Sequence, residues 1–166
     1  MSVNVSIVRI SSEDLEWLRN PGEPDENGED RTDAWFWSDY PGTLELNKGY
    51  ASVHFVLTGI DMDGSGPAAF LCDLNYGETI DYEWGYDPGR VLHPAQVAEI
   101  VQALNAVPSE VIESRLSGTE IGSVYPFDGS PFNSEDKAWL LGVLTKLKAF
   151  LMQAELDGAT LLVATL

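Results

Sequence analysis

Residues 134–166, SEDKAWLLGVLTKLKAFLMQAELDGATLLVATL, decide how the fold is read. Leu140, Leu144, Leu147, Leu151 and Ala154 recur at the 3.6-residue period and make one apolar stripe. Ser134 followed by Glu135 and Asp136 is a helix start, with negative charge at the positive end of the helix dipole. Gly158 stops the helix, and residues 160–166, TLLVATL, read as a buried strand. At the other end of the chain Val3, Val5 and Ile7 alternate, while Val8 and Ile10 point the other way. That pattern predicts a second strand, buried on both faces.

Between these ends the signals are shorter. Ser11-x-x-Asp14 is a capping box opening a helix with Leu15, Trp17 and Leu18, and Asn20-Pro21-Gly22 closes it. Residues 20–33 carry Glu23, Asp25, Glu26, Glu29, Asp30 and Asp33 against Arg31 alone, the composition of a mobile acidic loop. The aromatics Trp35, Phe36, Trp37 and Tyr40 follow and are read first as core, with an exposed anchor for a partner as the alternative. Residues 47–58 fit both a strand and a helix; Asn47 as cap and Gly59 as stop favour the helix. A Gly-rich loop over 60–67 leads to a short apolar element at 68–72, and 90–92 is a short extended piece. Pro94 opens a helix bearing Val97, Ile100, Val101 and Leu104; Pro108-Ser109 opens another with Val111, Ile112 and Leu116. The expectation is one α+β domain over residues 1–166. A small mixed sheet includes both chain termini, is covered by helices, and is accompanied by a long C-terminal helix.

Composition narrows the function. The chain has 166 residues, with 9 Lys and Arg against 27 Asp and Glu, a net charge of −18. Phosphates are held by clustered cations, so neither nucleic acid nor an anionic membrane surface is an expected partner. One cysteine, Cys72, excludes a disulfide framework and a cysteine-rich zinc site. No apolar run suits a leader or a spanning helix, and a cytoplasmic location is expected.

Catalytic signatures are sparse. There is no phosphate loop, no Gly-x-Gly-x-x-Gly and no nucleophile elbow, and His54 and His93 are too far apart for a helical zinc pair. Cys72 lies in an apolar, acid-flanked stretch that should raise its pKa. Asp61-x-Asp63-x-Ser65-Gly66 has the first half of a calcium loop, but Cys72 stands where the bidentate Glu belongs, so a plain turn is expected. No cofactor or metal is expected. From Asp73 to Asp87 acids and aromatics interleave, and Arg90 is the first cation after Lys48. Arg90 is read as a salt bridge or carbonyl clamp to that preceding segment.

Two stretches carry a resemblance. Lys48-Gly49-Tyr50-Ala51-Ser52-Val53-His54-Phe55-Val56-Leu57-Thr58-Gly59 is one, and Gly85-Tyr86-Asp87-Pro88-Gly89-Arg90-Val91-Leu92-His93-Pro94-Ala95-Gln96-Val97 the other. Both resemble motifs of the YfbM-like bacterial proteins, a family of unassigned function, and Tyr125-Pro126 fits a third position. The chain departs from the family pattern at Tyr50, where the family has Trp, at His93 before the proline, and over residues 20–46. The resemblance implies an α+β fold and a helix over 47–58. It brings no catalytic mechanism; some relatives stand beside toxin genes as candidate immunity proteins. It also implies that Lys48, Tyr50, His54, Thr58, Tyr86 and Arg90 gather around one cleft.

Two functions of different class follow as expectations. The leading one is a non-enzymatic protein-binding module, immunity or antitoxin-like, whose acidic, aromatic-studded face meets a basic protein such as a toxin. Tyr76, Asp81, Tyr82, Glu83 and Trp84 would form that face. The alternative is a small-molecule site or enzyme with a pocket around His54, Tyr86 and Arg90.

Overall fold

Alternation at the N-terminus builds the centre of the sheet. β1 (Val5–Ile10) sends Val5 and Ile7 to one face and Val8 and Ile10 to the other, and all four are buried. The computed structural model describes residues 3–23, 31–36, 40–82, 84 and 87–166. Among these the chain continues through α1 (Ser12–Arg19), α2 (Asp33–Phe36), β2 (Thr43–Asn47) and α3 (Tyr50–Thr58). It then forms β3 (Glu78–Ile80), β4 (Gly89–Leu92), α4 (Pro94–Ala106), α5 (Ser109–Ser117), α6 (Ser134–Leu156) and β5 (Thr160–Thr165).

The sheet runs β2-β1-β5-β4-β3, and every pairing is antiparallel. The α+β class holds, both terminal strands lie side by side, and the long C-terminal helix is present; the sheet is antiparallel throughout and not mixed. Connectivity is the reason. α4 carries the chain back over the sheet and α6 returns it, so β5 starts at the end where β4 stopped, whereas a parallel neighbour needs a single crossover.

Each face has its own core. On one face α3, α4 and α6 cover Val5, Ile7, Leu92, Leu161 and Val163, and the α6 stripe from Leu140 to Ala154 is buried there. On the other, Leu18 of α1 and Trp35 and Phe36 of α2 cover Val8, Ile10, Val91, Leu162 and Ala164. Trp35 and Phe36 are therefore core; Trp37 and residues 24–30 of the acidic loop lie outside the described residues.

Caps account for the helix boundaries. The Asp14 carboxylate accepts from the Ser11 N–H at 2.8 Å while Ser11 Oγ accepts from the Asp14 N–H at 3.1 Å. Asn133 caps α6 through Oδ1, which accepts from the N–H groups of Glu135 and Asp136. Asn47 does not cap α3: it ends β2 with φ 49°, and Gly49 takes the cap, while Gly59 at φ 77° ends the helix as expected. The α3 carbonyls left open at that end are held by Arg115, whose Nη1 donates to Val56 and Leu57 at 2.8 Å. The two edge strands, β2 and β3, were not expected.

Candidate binding cleft

Tyr50, His54 and Thr58 stand four residues apart on α3, so the helix stacks them on one face. Their surroundings give them different roles. Tyr50 packs against Tyr125, ring centroids 6.2 Å apart, and lines a cleft of about 350 Å³ with Leu71, Cys72 and Asp87. Val5 of β1 and Val3 just before it close one side. Met62 and Leu74 form the lip, 48% and 46% exposed.

His54 is fully buried, and its Nε2–H donates to the Asp63 carbonyl at 2.7 Å, tying α3 to the following loop. Burial lowers its pKa, so the ring is held neutral. Its Nδ1 has no partner among the described residues. The Thr58 hydroxyl donates to the His54 carbonyl at 2.9 Å and accepts from the Ile60 N–H at 3.1 Å, turning the chain out of the helix.

Arg90 projects from β4 and is 2% exposed. Its Nη1 donates to the Phe70 and Asp73 carbonyls, both at 2.6 Å. Burial lowers its pKa, opposed by Asp73, Cys72 and Asp87 nearby. The guanidinium is thus a carbonyl clamp on the loop that forms the cleft wall. Asp73 locks the same loop, its two oxygens accepting from Gly66 N–H at 2.9 Å and Asn75 N–H at 3.0 Å.

The reactive groups are muted. Burial pushes the Cys72 thiol up to about 12, against the pull of Arg90, so it stays protonated and is a poor nucleophile. Asp63, in the half calcium loop, accepts from the Gly64 N–H at 2.7 Å. Among the described residues no group of three or more His, Cys, Asp or Glu side chains is placed to hold a metal ion. No helix of the described chain is long and apolar enough to cross a membrane.

The six residues expected around one cleft therefore divide. Tyr50 lines it, while His54 and Arg90 brace the loop that forms its wall. Thr58 ends α3, and Lys48 is exposed at the turn between β2 and α3. Tyr86 lies outside the described residues, as does Glu83. The expected aromatic face is also divided. Tyr76 packs on the α3–α4–α6 side and donates to the Glu99 carboxylate at 2.8 Å. Tyr82 and Trp84 pack with ring centroids 4.6 Å apart, Tyr82 also against Trp17 and Trp84 edge-on to Phe36, across the opposite face of the sheet. Asp81 is exposed beside them. The sequence singles out neither Met62 nor Leu74, because the cleft joins them from separate segments.

A family profile described as a domain of unknown function, DUF1877, matches residues 1–164. The fold is similar to the crystal structure of YfbM from Escherichia coli, a protein of unknown function. The two are 18% identical with a TM-score of 0.65, and the match covers 100% of each chain. No curated protein matches the chain.

Proposed function

The chain belongs to the DUF1877 family, a family of unknown function, and from that premise we propose that it is a non-enzymatic module that binds a basic protein, in the manner of an immunity or antitoxin protein. One observation carries this reading. The half-exposed Met62 and Leu74 stand at a cleft that Asp87 lines, and Asp61, Asp63 and Asp73 adjoin them in the chain. Apolar side chains that lose water on contact supply affinity, and the surrounding charge favours a cationic partner and speeds encounter. The groups that chemistry would need hold the loop instead. His54 and Arg90 are bonded to backbone carbonyls, and Cys72 is protonated. A small-molecule site is the second reading, favoured by the cleft's size of about 350 Å³.

The test is capture of the product of the adjacent gene by the intact protein, at low and at physiological salt. It is repeated with Met62→Lys and Leu74→Lys together. A complex that weakens steeply with salt and is lost in the double variant supports the module. Retention of no basic protein at low salt, or of one indifferent to both substitutions, refutes it.

A further inference from the structure

We propose that β2 is a docking edge. It accepts an extended segment of the partner with the pattern apolar–Lys/Arg–apolar, added as a sixth strand beside α6. This rests on the basic partner inferred above but concerns a different surface.

Among the described residues β2 is one end of the sheet and pairs with β1 alone. The Arg9 N–H donates to the Gly42 carbonyl at 2.8 Å, which sets the phase of the ladder. Leu44, opposite Ile7, then bonds toward β1, and alternation turns the N–H and C=O of Glu45, opposite Ser6, to the outer edge. Outward backbone groups of an edge strand are a template for another strand.

The side chains specify what that strand carries. Thr43 lies on the α2 face, its hydroxyl donating to the Trp35 carbonyl at 3.0 Å, and alternation puts Glu45 on the same face. Glu45 is exposed and has no ion-pair partner among the described residues. A Lys or Arg directly opposite it makes a favourable cross-strand pair. The residues before and after that cation point to the other face, where a groove of about 290 Å³ runs between β2 and α6. Leu44, Leu46, Trp139 and Val143 give it an apolar lining, Asn47 and Lys146 also border it, and Trp139 is 41% exposed.

Gly142 makes the room. A Cβ at Gly142 would meet nothing within 4 Å, so packing in the free protein does not require glycine there. Glycine inside a helix is less favourable than alanine, because it loses more backbone freedom on folding. The space it leaves is beside the open strand edge, where an incoming apolar side chain would lie. A second copy fits less well: each copy carries −18, and a two-fold pairing centred on this strand sets Glu45 against Glu45.

The probe is a fluorescein-labelled ten-residue peptide with a central Val-Lys-Val, titrated into the full chain and followed by fluorescence polarisation. Three changes are each expected to weaken binding about ten-fold or more. They are Val-Glu-Val in place of Val-Lys-Val, N-methylation of the central lysine's amide, and the Gly142→Leu variant, which fills the groove with a better helix former. Glu45→Lys should reverse the preference to Val-Glu-Val. No binding at low salt, or binding indifferent to N-methylation and Gly142→Leu, overturns the proposal; so does a dimer on size exclusion that Gly142→Leu dissociates. If the basic protein of the preceding test still binds through Met62 and Leu74, the strand edge fails while the module stands. Peptide binding without such a protein leads to the reverse conclusion.

Discussion

Replacing Arg90 with alanine tests whether the cleft wall is held by one side chain. The substitution removes two 2.6 Å bonds, to the Phe70 and Asp73 carbonyls, and leaves both acceptors near a buried gap. The Phe70 carbonyl left without a donor costs about 1–3 kcal/mol, and the Asp73 carbonyl, which keeps the Tyr76 N–H at 3.1 Å, loses a charged bond worth about 1.5–3. Part is offset, because the guanidinium no longer has to be desolvated, a cost visible in its lowered pKa. The expected net loss is about 3 kcal/mol, equivalent to about 6–12 °C in Tm for a chain of this length. Urea unfolding should show a lower midpoint at constant slope. Hydrogen exchange should show faster opening of residues 70–75 than of β5. Arg90→Lys keeps the charge without the planar fork and should fall between the two. A loss under about 0.5 kcal/mol, with exchange at 70–75 unchanged, would refute the clamp.

Three further outcomes are expected. Leu147→Ala, at a fully buried position of the α6 stripe, should cost about 2–5 kcal/mol in chemical unfolding; a surface-like effect would place the stripe outside the core. The Glu78 carboxylate is held down to about 2 by the Arg19 guanidinium at 2.7 Å, with His93 Nε2 at 2.6 Å adding to it. Its folded pKa lies below its unfolded one, so its contribution is full above about pH 4.5 and disappears as pH falls toward 2. Solvent screening limits that contribution to about 1 kcal/mol. The stability difference between wild type and Glu78→Gln should shrink over that window, and a difference constant with pH would contradict the pairing. Cys72 should react with iodoacetamide at pH 8 at least about a hundred-fold more slowly than a free thiol; rapid labelling of the native protein would show the thiol is not held protonated.

Local order was legible wherever a single segment contains its own signal. β1 announces itself by apolar residues on both alternating faces, β5 by its apolar run Leu161–Ala164, α1 by its capping box, and α6 by a stripe repeated along its 23 residues. Residues 47–58 were ambiguous for a physical reason. Every residue of α3 from Tyr50 to Leu57 is buried, so no polar face remains to mark a helical period, and the family resemblance settled what periodicity left open. β2 and β3 escaped notice because edge strands of five and three residues bury too little to alternate visibly.

The cleft was only partly legible. The family resemblance places Tyr50 at the cleft, and the charge pattern makes Arg90 an ion pair or clamp on the preceding segment. The residues themselves could not say which carbonyls His54 and Arg90 would reach, because a backbone acceptor has no residue identity. Nor could they place Tyr76 on one side of the sheet and Tyr82 and Trp84 on the other. By itself the sequence determined the α+β class, the main helices, the two central strands and the acidic character of residues 49–89, all properties of composition and local period. Tertiary structure alone decided the antiparallel order of the strands, the meeting of Met62, Leu74 and Asp87 with Tyr50, and the open edge of β2 beside Gly142. Those depend on which distant segments lie against one another, and that follows from burying both faces of one sheet at once.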